Sequence, residues 1–366
     1  MNFDIFTILY LLGFVFSIIF TTNFNYRYIL EKVIMYFFAS VLFVLSAFRA
    51  LDIGYDNVLH IEYFESISNG TLSIVDFQEP GYATLSYFIT LIEGEYTLFL
   101  TVYSLISIIL VTKVLQTYSI YPFLGLYIYY SLYFFHQNMS RLRMSMSVLI
   151  LLYSINYLDK KKTKKFIFIV IVAASFHASA LIFLILLPLQ NITLNRKKLL
   201  IYFSVSIVLG LLIVGPFYRE VIGGLNYNIF SEQFGLNRIV NHANRRHAMR
   251  EGGWLGFLYY FMQAGLMVLF YERIKQLGSK TSLIYLINFV GISLYFIFFD
   301  VPVLGRLSIG FRLVEIIIAS YYIQSIDNKY IKILFTSLYL LVVLVFGFLG
   351  FYNYYDSFVP FKFFFS

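Results

Sequence analysis

Long apolar runs separated by short polar stretches set the organisation of this chain. Runs near residues 3–22, 33–48, 96–112, 120–136, 142–158, 199–217, 254–270, 281–299, 306–325 and 333–351 approach the ~20 residues that cross a hydrocarbon core. In lipid only a helix or a closed barrel satisfies its backbone polar groups, and runs of this length predict helices. Two stretches fit less simply. Residues 82–93 are too short for a span and end in Glu93 and Glu95, while 166–187 is interrupted by "SFHAS" around His177. Both fit broken or re-entrant helices, which are tolerated at membrane depth where they are buried in protein or line a cavity; for 166–187 the alternative is one ordinary span with a misplaced basic end. The pattern predicts an all-α polytopic membrane bundle of about 10–12 membrane segments, forming one domain over 1–366. Its external loops fall at about 49–81 and 218–252.

Composition agrees with this picture. The chain is 60% hydrophobic, 21% aromatic and only 13% charged, which excludes an ordinary soluble domain. With no cysteine there are no disulfides, thiolate metal sites or cysteine nucleophiles. A net charge of +8 would point a soluble protein to nucleic acid, but here the cations sit in loops between apolar runs, where they set topology. Membrane lipids, and no nucleic acid, are the expected partners of that charge. The opening "MNFDIFTILYLLGF" lacks the basic start and small-residue exit of a cleaved signal, so the first run is expected to remain as a span.

The cations also carry an orientation. The run Lys160, Lys161, Lys162, Lys164, Lys165 and the cluster Arg196, Lys197, Lys198 are expected on the cytoplasmic side. Alternating the loops outward from them gives 13 lysines and 3 arginines inside, against 10 arginines and 1 lysine outside. A lysine is a topogenic point charge, whereas an arginine is a planar fork that holds phosphate in a bidentate way. The outer arginines are therefore expected to bind an anion; lipid headgroups and loop acids are the plainer alternatives.

Candidate chemistry lies in the outer loops. In "RALDIGYDNVLHIEYF" (49–64), Asp52, Asp56 and His60 share a face with Arg49 if the segment is helical, and Asp56 or His60 is a candidate base. In "DFQEPGYATL", Glu79 precedes a Pro-Gly turn and an apolar segment, placing a carboxylate at the mouth of a half-helix. In the 218–252 loop, Arg238, His242, Arg246 and Arg250 recur every four residues, with Arg245 beside them. Such a stripe suits a pyrophosphate, and equally an interfacial helix on anionic lipid. His177, inside an apolar segment, is either a helix-breaking structural residue or a substrate contact. No DxD-like pair or His/Glu ligand spacing stands out, so no metal and no cofactor is expected.

Taken in order, the islands "RALDIGYDNVLHIEYF" with its Gly54-x-Asp56 core, "EPGY" at 79–82, "RLRMSMS" at 141–147, "FHASAL" at 176–181 and "GRLSIGFR" at 305–312 resemble the EpsG-like branch of the Wzy-type bacterial polysaccharide polymerases. Met144 and Ser147 stand where that family often has glutamine and alanine. The resemblance implies a membrane glycosyltransferase with a GT-C-like architecture, acting on the external face of the bacterial inner membrane. Its substrates would be oligosaccharide repeat units on undecaprenyl pyrophosphate, in O-antigen, capsule or exopolysaccharide synthesis. A chain-length regulator and a flippase of the same pathway would be partners. It further implies functional roles for Arg49, Arg143 and Arg306, together with Asp56, Glu79 and His177. With the outer cations and loop residues added, the expected set is pyrophosphate binding by Arg49, Arg141, Arg143, Arg238, Arg245, Arg246, Arg306 and Arg312, catalysis by Asp56, Glu79 or His60, and a structural role or substrate contact for His177 and His242. The rival readings are a lipid-linked oligosaccharide flippase, which should show paired repeats and polar spans, and an O-antigen ligase, which uses the same donor. A membrane acyltransferase is disfavoured, since no histidine-centred acyl-transfer site stands out.

Overall fold

The computed structural model describes residues 5–22, 27–72, 79–218 and 253–365, and among these nearly all the regular structure is helical. Seven of the described helices are long and apolar enough to cross a membrane. They are α1 (Ile5–Thr22), α2 (Arg27–Ala47), α5 (Tyr96–Tyr118), α9 (Arg196–Phe217), α10 (Gly253–Lys275), α11 (Ser279–Ile297) and α14 (Lys329–Tyr352). The protein is thus an all-α, polytopic membrane protein. The Cα positions fall into two compact units, Met1–Leu187 with Glu315–Ser366, and Pro188–Val314.

At the centre of the first unit lies α6 (122–137), which passes through a π-helical stretch at Tyr130–Phe134. Pro122 opens it, and the buried Glu31 of α2 accepts a hydrogen bond from the Phe123 N–H (3.1 Å). That carboxylate meets the positive end of the helix dipole. Gly125 lets Ile316 of α13 (Glu315–Gln324) approach, and Gly347 of α14 lies on the Ser131 carbonyl; small residues permit such close helix contacts where lipid gives no hydrophobic drive. Phenols fasten the same helices. The Tyr10 hydroxyl donates to Ser131 O (3.3 Å), Tyr130 to Phe6 O (2.8 Å) and Tyr121 to Gln324 Oε1 (2.7 Å). Bonds of this kind are worth about 0.6 kcal/mol each on average. The abundance of tyrosine has a structural explanation here.

The runs read at 120–136 and 142–158 do become helices, α6 and α7 (Leu142–Asp159), but neither belongs to the seven apolar spans. Both are buried: Ser145, Ser147 and Ser154 of α7 are inside the unit, where lipid apolarity is not required. α8 (Thr163–Phe176) stops at His177, whose extended backbone (φ −160°, ψ 119°) leads into a 3₁₀ segment, Ala178–Ile185. The break falls where "SFHAS" predicts it. His177 Nδ1 accepts from the Ser179 N–H (3.3 Å) and lies 2.8 Å from Ser179 Oγ, a local alternative to the helical ladder.

Two short helices, α3 (Asn57–Ser68) and α4 (Pro80–Leu91), complete this unit at one end. The C-terminal segment pins the loop before α3: the Ala50 N–H donates to Lys362 O (2.9 Å), Phe364 N–H to Phe48 O (3.0 Å) and Gly54 N–H to Ser357 O (2.9 Å).

The second unit contains α9, α10, α11 and the short helical turns of α12 (302–312). Gly210 of α9 lies against the Phe296 carbonyl, and Gly291 of α11 against the Arg312 backbone.

Candidate functional site

The first unit's site is built around the tight turn 138–141 that joins α6 to α7. The Arg141 N–H donates to His136 O (3.0 Å) and the Met139 N–H to Phe134 O (3.2 Å), so the chain reverses within a few residues. α7 then begins at Leu142, which puts Arg141 at its N-cap and Arg143 in its first turn. Gly54 is wedged against this turn. Its φ of +103° suits glycine, and a Cβ there would overlap the Met139 carbonyl oxygen. At Gly54 the Gly54-x-Asp56 core is therefore a packing device.

Three elements converge on Arg143. Its Nη1 lies 2.5 Å from Glu79 Oε2, and its guanidinium sits over the Tyr63 ring of α3, 4.9 Å from the centroid. The Arg143 and Glu79 side chains keep 21% and 14% of their surface exposed, so the pair is sheltered but reachable. Every residue of "EPGY" has a place here. Glu79 is the N-cap of α4 but spends its carboxylate on Arg143 instead of capping the helix, and Pro80 supplies the first helical position. Gly81 touches the end of α8, where a Cβ would stand 2.8 Å from the Phe176 ring. The Tyr82 hydroxyl donates to His60 O (2.9 Å). Starting at Pro80, the residue after Glu79, an apolar cavity of about 350 Å³ opens between α4 and the α8 break, lined by Pro80, Gly81, Thr84, Leu85, Phe88, Ser175 and Phe176.

His60, a candidate base from sequence, is a buried strut in this geometry. Its Nε2 lies 3.0 Å from Ser140 O, which makes Nε2 the protonated nitrogen and ties α3 to the turn that carries Arg143. Burial first, with the Arg143 and Arg49 charges adding, pushes the imidazole down to about 3. The ring is neutral at pH 7.

Arg49 is held inside the fold. It is fully buried, donating to Ser46 O, to Ile53 O (3.3 Å) and to Asn57 Oδ1 (3.4 Å). Tyr96 donates to the same Asn57 oxygen (2.7 Å), and burial pulls the guanidinium pKa below its ordinary value. Arg49 folds the loop. Because α3 starts only at Asn57, Asp52 and Arg49 do not lie on a helical row with His60; Asp52 is exposed, and Asp56 takes the N-cap position, half-buried and without a side-chain capping bond.

Sequence reasoning missed the aromatic groups around these charges. Arg141 lies over the Tyr55 ring (5.8 Å), and Tyr55 stacks on Tyr354 (4.7 Å), with His136 edge-on to Tyr354 (5.2 Å). Tyr55 is the middle residue of the Gly54-x-Asp56 motif; Tyr63, His136 and Tyr354 carry no spacing signal. Ser147 Oγ donates to His177 O (3.4 Å), which gives that departure from the family pattern a structural use.

Arg306 and Arg312 belong to the second unit. Arg306 is half-buried in a 3₁₀ turn, whereas Arg312 is buried with its guanidinium over Tyr260 (4.5 Å) and Tyr295 (4.8 Å). Arg238, His242, Arg245 and Arg246 lie outside the described residues. Among the described residues no three His, Asp or Glu side chains group so as to hold a metal ion.

Fold and site together define a polytopic helical membrane protein with an arginine–carboxylate pair whose Glu79 directly precedes Pro80, a lining residue of an apolar cavity. The sequence profile of the EpsG family matches residues 32–363, and the chain belongs to that family. Membership supports a role of the polysaccharide-polymerase type. No curated protein and no solved structure matches the chain.

Proposed function

We propose that this protein polymerises lipid-linked oligosaccharide repeat units at the external face of the bacterial inner membrane. The growing glycan moves from undecaprenyl pyrophosphate to a hydroxyl at the non-reducing end of a new lipid-linked unit. The observation that supports this reading is the Arg143–Glu79 pair with an apolar cavity that begins at Pro80, the next residue of the chain: a pyrophosphate joined to a long hydrocarbon needs a cation and a greasy groove close together.

The bond between the anomeric carbon and the pyrophosphate oxygen breaks, and a new bond forms to the acceptor oxygen. Negative charge collects on the leaving diphosphate, and Arg143 supplies a preorganised guanidinium for it. A guanidinium has five N–H donors in a fork, enough to hold a carboxylate and a phosphate together. The acceptor proton passes to a carboxylate. Glu79 is the leading candidate because it is held at Arg143, and Asp56 the second. His60, neutral and bound through Nε2, serves to position the 138–141 turn. Arg141, over Tyr55 and near the Tyr354 and His136 rings, offers aromatic faces of the kind that sugar rings pack against. The charge is met by arginine, so chelators are expected to leave the reaction unaffected.

The test is to incubate the purified protein with a synthetic undecaprenyl-pyrophosphate repeat unit and resolve the products. A ladder formed without lipid A core supports polymerisation; transbilayer movement without a ladder would mean a flippase. Arg143→Lys should slow the ladder roughly a hundredfold, since a point charge cannot replace the fork. Unchanged rate and length would remove Arg143 from the reaction.

A further inference from the structure

The other end of α7 carries a second site. Over its 18 residues, Leu142–Asp159, α7 rises about 27 Å, so its two ends are about a membrane's hydrocarbon thickness apart. At the Lys160 end, between α5 and α7, lies a polar cavity of about 300 Å³. Lys113 of α5 and Lys160 and Lys162 of the α7–α8 turn line it, together with Gln116, Asn156 and Tyr157. Among the described residues none of these three ammonium groups is in an ion pair.

Simple topogenic lysines do not explain this arrangement. A positive-inside signal needs only cations near a helix end, and the neighbouring Lys161, Lys164 and Lys165 supply them without lining the cavity. The turn itself holds an unusual conformation to place its lysines. α7 ends in a Schellman motif, with the Lys162 N–H on Tyr157 O (2.8 Å) and the Lys161 N–H on Leu158 O (3.0 Å). The residue required in the left-handed region is Lys161 (φ +54°), where glycine would be cheaper. Lys160 and Lys162, on either side of it, both line the cavity. The amides add donors: Gln116 commits one N–H to Tyr36 and Asn156 one to Tyr153 O (3.0 Å), and each amide nitrogen has two.

We propose that this cavity binds a phosphate-bearing anion. Three cations within one concave, partly walled site recognise the phosphate group, and the same chemistry serves a free phosphate or the glycerophosphate head of an anionic lipid. The proposal does not depend on the reaction at Arg143.

The experiment uses the full-length protein in neutral detergent at pH 7. Its unfolding midpoint is followed while sodium phosphate is titrated at constant ionic strength, and separately while short-chain phosphatidylglycerol is titrated against phosphatidylcholine. A rise with inorganic phosphate identifies the bare group as sufficient, whereas a rise with phosphatidylglycerol alone identifies the lipid head. The variant Lys113→Gln/Lys160→Gln/Lys162→Gln should weaken the response at least tenfold. Lys161→Gln/Lys164→Gln/Lys165→Gln, which removes the same charge outside the cavity, should leave it intact. Equal weakening in both would reduce the effect to general cation density and overturn the site, as would no shift with either probe. Independently of any variant, the effective probe should slow acetylation of Lys113, Lys160 and Lys162, read by mass spectrometry, and spare Lys161, Lys164 and Lys165. Uniform slowing or none would also overturn it.

Discussion

Replacing Gly54 by alanine tests whether the loop before α3 holds the arginine turn in place. Two costs add. At φ +103° a Cβ is strained by about 1–3 kcal/mol, and overpacking a filled site adds about 1–3 kcal/mol. The added atom would stand 3.1 Å from the Met139 carbonyl carbon and overlap its oxygen, and that neighbour is backbone, with no rotamer to give way. The two terms sum to about 2–6 kcal/mol, and a net loss near the middle of that range, about 3–4 kcal/mol, is expected. Gly70 supplies the control: it also has positive φ (+68°), but a Cβ there meets nothing within 4 Å, so Gly70→Ala should cost only about 1 kcal/mol of backbone strain. Reversible unfolding of both variants in mixed micelles should therefore differ by about 2–3 kcal/mol. In the glycan-ladder assay Gly54→Ala should lose about a hundredfold in rate, because a misplacement of order 1 Å at Arg143 is costly to a positioned reaction. If Gly54→Ala and Gly70→Ala prove equally mild, the loop does not brace the turn and the argument fails.

Two further outcomes follow from the same structure. The His60 ring has a folded-state pKa depressed to about 3 against 6.5 when unfolded. Well above pH 6.5 both states are neutral and stability is full; as pH falls the unfolded ring takes up a proton that the folded ring refuses, so stability drops until the pH reaches about 3. Between pH 7.5 and 5 the loss should be about 2 kcal/mol, at 1.36 kcal/mol per unit. His60→Gln keeps an N–H donor for Ser140 O without titrating, so this part of the acid sensitivity should vanish from its unfolding curves. At the far end of α7, Lys161→Gly should raise stability by about 1 kcal/mol, since the left-handed position no longer holds a side chain; a lower unfolding midpoint would contradict the Schellman reading.

How much was legible beforehand depends on whether a property is local. The apolar runs, their helical state and the interruption at His177 were readable because run length and helix breakers act within a few residues. The islands "EPGY" and Gly54-x-Asp56 were visible as motifs, although their use as contacts was not. The burial of α6 and α7 was hidden, since apolarity alone does not distinguish a helix facing lipid from one packed inside a bundle.

By itself the sequence determined that this is a helical membrane protein of the EpsG family, because composition, periodicity and motif order need no partner to be read. Only the tertiary structure decided what each described arginine touches. Arg49, Arg143 and Arg312 are chemically the same, yet one is sealed among carbonyls, one pairs with Glu79 and one lies between two tyrosine rings. Glu79 and Arg143 are 64 residues apart, and the desolvation and charge pairing that separate these fates arise from groups brought together by packing, which no local stretch of sequence encodes.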